Sequence, residues 1–293
     1  MRVKWSTIAF VLLCTLLPLG QGNAAPADAP LRQMAATLDP AKIKSVFVLY
    51  HELMQLPGKP AQDSLHIIWS QGKRYRNEYW FKRNANGPAR NAAAADPVEV
   101  ETDIADLSPA MRARLNEYER YSIEWCDGKT VYQRNAQNRW EIRRPPEEGM
   151  SPFENVLLTW CYGNGSKILE IVQITKGQVR SSREHADVVL SIGLVSTALV
   201  GIMRFHGADA ERGLPSSVET YKNPGGKLVS RHTWEGWTNQ DGIWFPAKCM
   251  SEQRIGNSLN DVLDKPREIM NYEYLAAHFN QPIEEKVLGC SIP

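Results

Sequence analysis

The sequence predicts a mainly β fold of the α+β class: one antiparallel sheet with a few helices packed on it. Three observations carry that expectation. Short strand-like runs recur between glycine and proline turns. An aromatic–polar alternation with period two runs from Tyr75 to Phe81. Strands and helices do not alternate, which speaks against a doubly wound parallel sheet. Strands joined by such short turns pair antiparallel.

Taken in order, the chain opens on a leader. Arg2 and Lys4 precede an apolar run from Ile8 to Leu19, and small residues follow at Asn23-Ala24-Ala25. That is the three-part layout of a secretory signal peptide, with cleavage expected near Ala24 or Ala25. The run is shorter than the ~20 residues that a membrane-spanning helix needs. An uncleaved anchor is the alternative. Lipidation at Cys14 is a further one, disfavoured because Leu13 stands where a small residue is wanted. Residues 26–293 then read as a single exported domain, periplasmic or otherwise outside the cytoplasm. Without Arg2 and Lys4 the 34 basic residues become 32 against 33 acidic ones, a formal charge of −1. Nucleic acid is not an expected partner, because binding it takes a surplus of Lys and Arg. No second stretch reads as a transmembrane span.

Asp39-Pro40 looks like a helix start, and Ile43, Val46, Phe47, Tyr50, Leu53 and Met54 recur at helical spacing. A helix over 40–56, stopped at Leu56-Pro57-Gly58, is therefore expected to lie across the sheet. Residues 65–81 form a hairpin about Gln71-Gly72-Lys73. Tyr75, Asn77, Tyr79 and Phe81 take one face of its second strand; Arg74, Arg76, Glu78 and Trp80 take the other. Residues 84–96, rich in Ala, Asn and Pro, read as a surface insertion. Ser108-Pro109 opens a short helix. Tyr121 to Cys126 and Thr130 to Arg134 pair across Asp127-Gly128, a hairpin signal. Arg139 to Arg143 adds a strand. Ser151-Pro152-Phe153-Glu154 is a capping box opening a helix to about Tyr162. Strands are expected over 188–194, 198–206, 217–221, 227–237, 243–254 and 268–275.

Motifs for catalysis are sparse. His51-Glu52 begins like a zinc-protease helix, but Gln55 stands where the second histidine belongs. Ser70 and Lys73 fit S-x-x-K, yet they span a turn rather than a helix start. His206, Asp209 and Glu211 are metal ligands by type only. No catalytic residue, metal or cofactor is expected. Cys126, Cys161, Cys249 and Cys290 allow three pairings, or free buried thiols. The preferred pair is Cys249–Cys290, tying the tail to a core strand, with Cys126–Cys161 as the second bond. The chain holds nine Trp, enough to supply a sheet core or to line an apolar ligand cavity.

Several phrases resemble the periplasmic lipoprotein-carrier superfamily, LolA and LolB among it. They are Lys73-Arg74-Tyr75-Arg76-Asn77-Glu78-Tyr79, Trp125-Cys126-Asp127-Gly128-Lys129-Thr130-Val131-Tyr132, Asn138 to Ile142, and Asp241-Gly242-Ile243-Trp244-Phe245-Pro246. The ending Tyr272-Glu273-Tyr274, then Asn280-Gln281-Pro282-Ile283, resembles longer exported members. The resemblance implies a curved sheet, a half-open barrel, with helices across its concave face. It implies a non-enzymatic carrier or binder of lipid, acyl chains or lipidated protein in a hydrophobic cavity. The candidate lining is Val46, Phe47, Tyr50 and Met54 with Ile67, Trp69, Tyr79 and Phe81. An exported enzyme with unrecognised catalytic residues, or an envelope sensor or scaffold, are the alternatives.

Overall fold

The computed structural model describes residues 27–83, 109–134, 140–143, 151–174, 178–184, 187–193, 199–222, 228–254 and 267–288. The expected leader and the 84–96 insertion lie outside them. The described elements are mainly strands, as the turn spacing indicates. Thirteen strands follow one antiparallel order that does not return on itself, so the sheet is not closed.

The chain packs as two compact units. The first takes residues up to Pro40, with Leu157–Asn239 and Trp244–Ile269. In it α1 (Ala29–Thr37) packs on α4 (Asn164–Ile174) and α5 (Gly207–Arg212). Two glycines make the approach possible. A Cβ at Gly165 would stand 2.7 Å from the Ala35 nitrogen. Gly213, at φ +69°, closes α5 against the backbone of Met34. The strands of this unit are β7 (Gln178–Glu184), β8 (Asp187–Gly193), β9 (Leu199–His206), β10 (Ser217–Lys222), β11 (Leu228–Glu235) and β14 (Lys248–Arg254). Trp160, Phe205 and Leu190 are fully buried.

The second unit holds Ala41–Val156 and Met270–Pro293 together with Gln240–Ile243. Its strands are β1 (Ser45–Gln55), β2 (Gln62–Gln71), β3 (Arg74–Lys82), β4 (Tyr118–Asp127), β5 (Val131–Arg134) and β6 (Trp140–Arg143). Most of β15 (Arg267–Phe279) belongs here, beside β1. The helices are α2 (Pro109–Leu115), α3 (Pro152–Thr159), which continues into the first unit, and α6 (Glu285–Leu288). β12 (Thr238–Gln240) and β13 (Ile243–Phe245) form a separate pair.

The hairpins at Gln71-Gly72-Lys73 and Asp127-Gly128 stand where expected, with Gly72 at φ +59°. Asp127 accepts the Lys129 and Thr130 N–H groups at 2.8 Å and so fixes its turn. The capping box is formed: Ser151 N–H donates to Glu154, and Glu154 N–H donates to Ser151 Oγ.

The helix over 40–56 is not formed. Pro40–Lys42 makes one 3-10 turn, and Ser45–Gln55 is strand β1. Its positions 46–50 are apolar on both faces because both faces are covered. A doubly buried strand reads as a continuous apolar run, which helical spacing also fits. Helices α1 and α4 and strand β7 carry no expectation from the sequence reading.

Cysteine pairing also needs correction. Cys126 and Cys161 are free and buried, so Cys126–Cys161 is not bonded; Cys249 is buried. Cys290 lies outside the described residues. Cys126 sits with Tyr75 and Val131, and accepts the Gly128 N–H. Burial pushes the Cys161 thiol up to about 12.

Candidate functional site

The register of the second unit sorts its side chains into two faces, because directly opposed residues point the same way. On one face lie the rows Phe47–Trp69–Arg76–Trp125–Tyr132 and Leu49–Ile67–Glu78–Ile123–Arg134. Helices cover this face. Leu49, Leu65, Ile67 and Trp69 pack with Leu115 of α2 and with Val287 and Leu288 of α6. The Trp125 indole N–H donates to the Leu288 carbonyl at 3.0 Å.

The opposite face carries the rows Val46–Ser70–Tyr75–Cys126–Val131, Val48–Ile68–Asn77–Glu124–Gln133 and Tyr50–His66–Tyr79–Ser122. Glu52–Ser64–Phe81–Glu119 completes it. We call this the tyrosine face. Its rows toward Val46 are buried. Its other end, with Met54, Tyr79, Phe81, Tyr121 and Tyr272, is half-buried. Phe81 meets Tyr121 edge-on at 5.0 Å, and Tyr50 meets Tyr272 at 6.0 Å and Tyr274 at 5.6 Å.

His66 stands behind this aromatic end. Its ring stacks on Tyr50 at 4.6 Å and takes the edge of Tyr79 at 4.6 Å. Nε2 lies 2.8 Å from Glu52 and 3.2 Å from Ser64 Oγ. A Ser-His-carboxylate relay needs hydroxyl and carboxylate on opposite ring nitrogens. Here both address Nε2, so the trio is no nucleophile-activating triad. Nδ1 is buried and has no partner. Burial, then the Glu52 charge, holds the Tyr50 phenol well above its usual range, so it stays a neutral donor.

The eight candidate lining residues are thus split. Val46, Tyr50, Met54, Tyr79 and Phe81 share the tyrosine face. Phe47, Ile67 and Trp69 point to the other face and belong to the core under α2 and α6. The period-two pattern over 75–81 sorted β3 correctly. Reading β1 as a helix mixed its two faces. Asn77, Glu124 and Gln133, polar residues of one cross-strand row on the tyrosine face, carry no site expectation from the sequence reading. The visible signal was Asn77 standing among Tyr75, Tyr79 and Phe81.

The catalytic patterns dissolve in the fold. His51 lies on β1 and pairs with Asp63 at 2.8 Å. Ser70 is buried in β2, while Lys73 is in an exposed turn. In the first unit, His206 is drawn to Asp187, and Asp209 faces Arg212 at 3.4 Å. Among the described residues no group of three His, Cys, Asp or Glu could hold a metal ion.

No family model and no curated protein matches the chain. Solved structures do. A LolA superfamily protein from Nitrosomonas europaea is 10% identical with TM-score 0.42, over 91% of this chain and 99% of its own. A DUF1329 family protein from Desulfovibrio piger is also 10% identical with TM-score 0.42, over 91% and 98%. A domain assigned to outer-membrane lipoprotein sorting, from Vibrio parahaemolyticus, is 11% identical with TM-score 0.39, over 89% and 96%.

Proposed function

We propose that this protein is a non-enzymatic, exported binder of amphiphilic molecules, and that the half-buried end of the tyrosine face receives their alkyl or acyl chain. The observation that carries this reading is that end itself. Met54, Tyr79, Phe81, Tyr121 and Tyr272 present apolar and aromatic surface that neighbouring residues only partly cover. Each methylene laid on such a surface contributes about 0.8 kcal/mol when fully buried. The same-side placement of Ser64 and Glu52 on His66 supports binding over covalent chemistry. The leader-like first 25 residues support export.

Binding of a neutral probe, a pyrene-labelled dodecanol, to the full chain tests the reading. Wild type is expected to bind it. Phe81→Ala should weaken binding roughly 5- to 150-fold, the equivalent of about 1–3 kcal/mol of lost contact. Ile142→Ser, at a residue 76% exposed on β6, should change nothing. No binding by wild type, or equal loss in both variants, sinks the proposal.

A further inference from the structure

The second unit segregates its cations by face. Across β1 to β5 the ladder places Arg74, Arg76, Lys82, Arg120 and Arg134 on the helix-covered face. The tyrosine face of the same five strands carries Glu52, Glu119 and Glu124, and neither Lys nor Arg. An acidic face alone would be a solvated surface. This one has buried acceptors in it. Asn77 is 1% exposed and Gln133 is 7% exposed, and Asn77 Oδ1 and Gln133 Oε1 have no hydrogen-bond partner. They stand on either side of Glu124 in one cross-strand row. Glu124 takes a hydrogen bond from the Tyr75 hydroxyl at 3.0 Å.

A buried carbonyl oxygen without a donor costs about 1–3 kcal/mol, so two in one row beside a carboxylate call for a ligand that supplies donors. The complement is a compact cation with several N–H groups. We infer that the row Asn77–Glu124–Gln133 is a head-group subsite for a primary ammonium. The apolar body of that amine then runs along the face past Tyr79 to Phe81. Four residue steps of strand lead from Asn77 to Phe81, about 13 Å at ~3.3 Å per step. That length suits an alkyl chain. The inference rests on the chain-binding reading above and names the class of molecule: amphiphilic amines, selected against amphiphilic carboxylates. Three donors on one ammonium match the carboxylate and both amide oxygens, whereas a quaternary ammonium brings the charge without the donors.

Competition against the pyrene-labelled dodecanol, on the full chain at pH 7 and below micelle-forming concentrations, tests this. Dodecylamine should displace the probe at a concentration at least tenfold lower than laurate. Dodecyltrimethylammonium should fall between them. Glu124→Gln should remove most of the preference for dodecylamine over laurate while the probe still binds. Asn77→Leu should reduce it without loss of fold. Equal displacement by dodecylamine and laurate, or stronger displacement by laurate, overturns the inference and leaves chain binding intact. Dodecyltrimethylammonium equal to dodecylamine also overturns it, since the amide oxygens would then play no part. If wild type binds no probe, it is the chain-binding proposal that has failed.

Discussion

Asn77 and Glu78 are neighbours in sequence, each 1% exposed, and they meet opposite fates. Glu78 points to the helix-covered face. There its carboxylate takes Arg76 Nε at 2.9 Å and the Trp80 indole N–H at 3.1 Å, with Arg120 at 3.9 Å. Arg76 in turn lies over Trp69, and Arg120 over Trp80. Asn77 points to the tyrosine face, where its side-chain oxygen meets no donor. On the helix-covered face the Glu78 carboxylate has Arg76 and Arg120 as its counter-ions. On the tyrosine face Asn77 Oδ1 and Gln133 Oε1 are buried without a donor. A residue step of one decides which, because strand side chains alternate.

The comparison breaks most visibly at Glu78. Glu78→Ala leaves the two guanidinium groups without their buried counter-ion, and should cost about 3–5 kcal/mol of stability. Trp69→Ala belongs to the same face and should cost a similar ~3–5 kcal/mol through the cavity left beneath α2 and α6. Urea unfolding of both variants measures this. Losses under about 1 kcal/mol would mean the helix-covered face is not the core. Asn77→Leu should behave oppositely. It removes an unsatisfied buried oxygen and keeps the branching and the number of side-chain heavy atoms, so stability should hold or rise by up to about 1 kcal/mol. A loss of more than 2 kcal/mol would show that the Asn77 amide is already engaged in the free protein.

Much of this division was legible in the sequence. The alternation of Tyr75, Asn77, Tyr79 and Phe81 against Arg74, Arg76, Glu78 and Trp80 is the two faces written out. The Gly72 and Asp127-Gly128 turns fixed where β2, β3, β4 and β5 begin and end. What could not be read was β1. Val46, Phe47, Tyr50 and Met54 satisfy a helical stripe, and only their pairing with Ser70, Trp69, His66 and Gln62 shows alternating faces. The β-branched Val46 and Val48 beside Phe47 and Tyr50 were the local hint in favour of a strand. The acceptor row was hidden for a different reason. Asn77, Glu124 and Gln133 are far apart in sequence, and only the register of three strands brings them into line.

A pH-dependent effect should come from the rim of the helix-covered face, where Asp63 joins His51, Tyr118 and Lys82. Burial works against the Asp63 carboxylate. The Tyr118 hydroxyl at 2.8 Å, then His51 and Lys82, outweigh it and hold the carboxyl below its ordinary value. A carboxyl with a depressed native value contributes stability that is complete above its unfolded value of about 3.9 and fades as pH falls through the lower native one. Tyr118→Phe deletes the strongest of the favourable contacts. It should lower stability by about 1.5–3 kcal/mol near pH 7, a typical value for a hydrogen bond to a charged group. The gap between variant and wild type should narrow as pH drops from about 5 to about 2, because a protonated Asp63 no longer gains from the phenol donor. Unfolding curves of both proteins across that range read the gap directly. A gap that stays constant with pH would assign the Tyr118 contribution to packing alone, and would leave the Asp63 cluster without a role in acid stability.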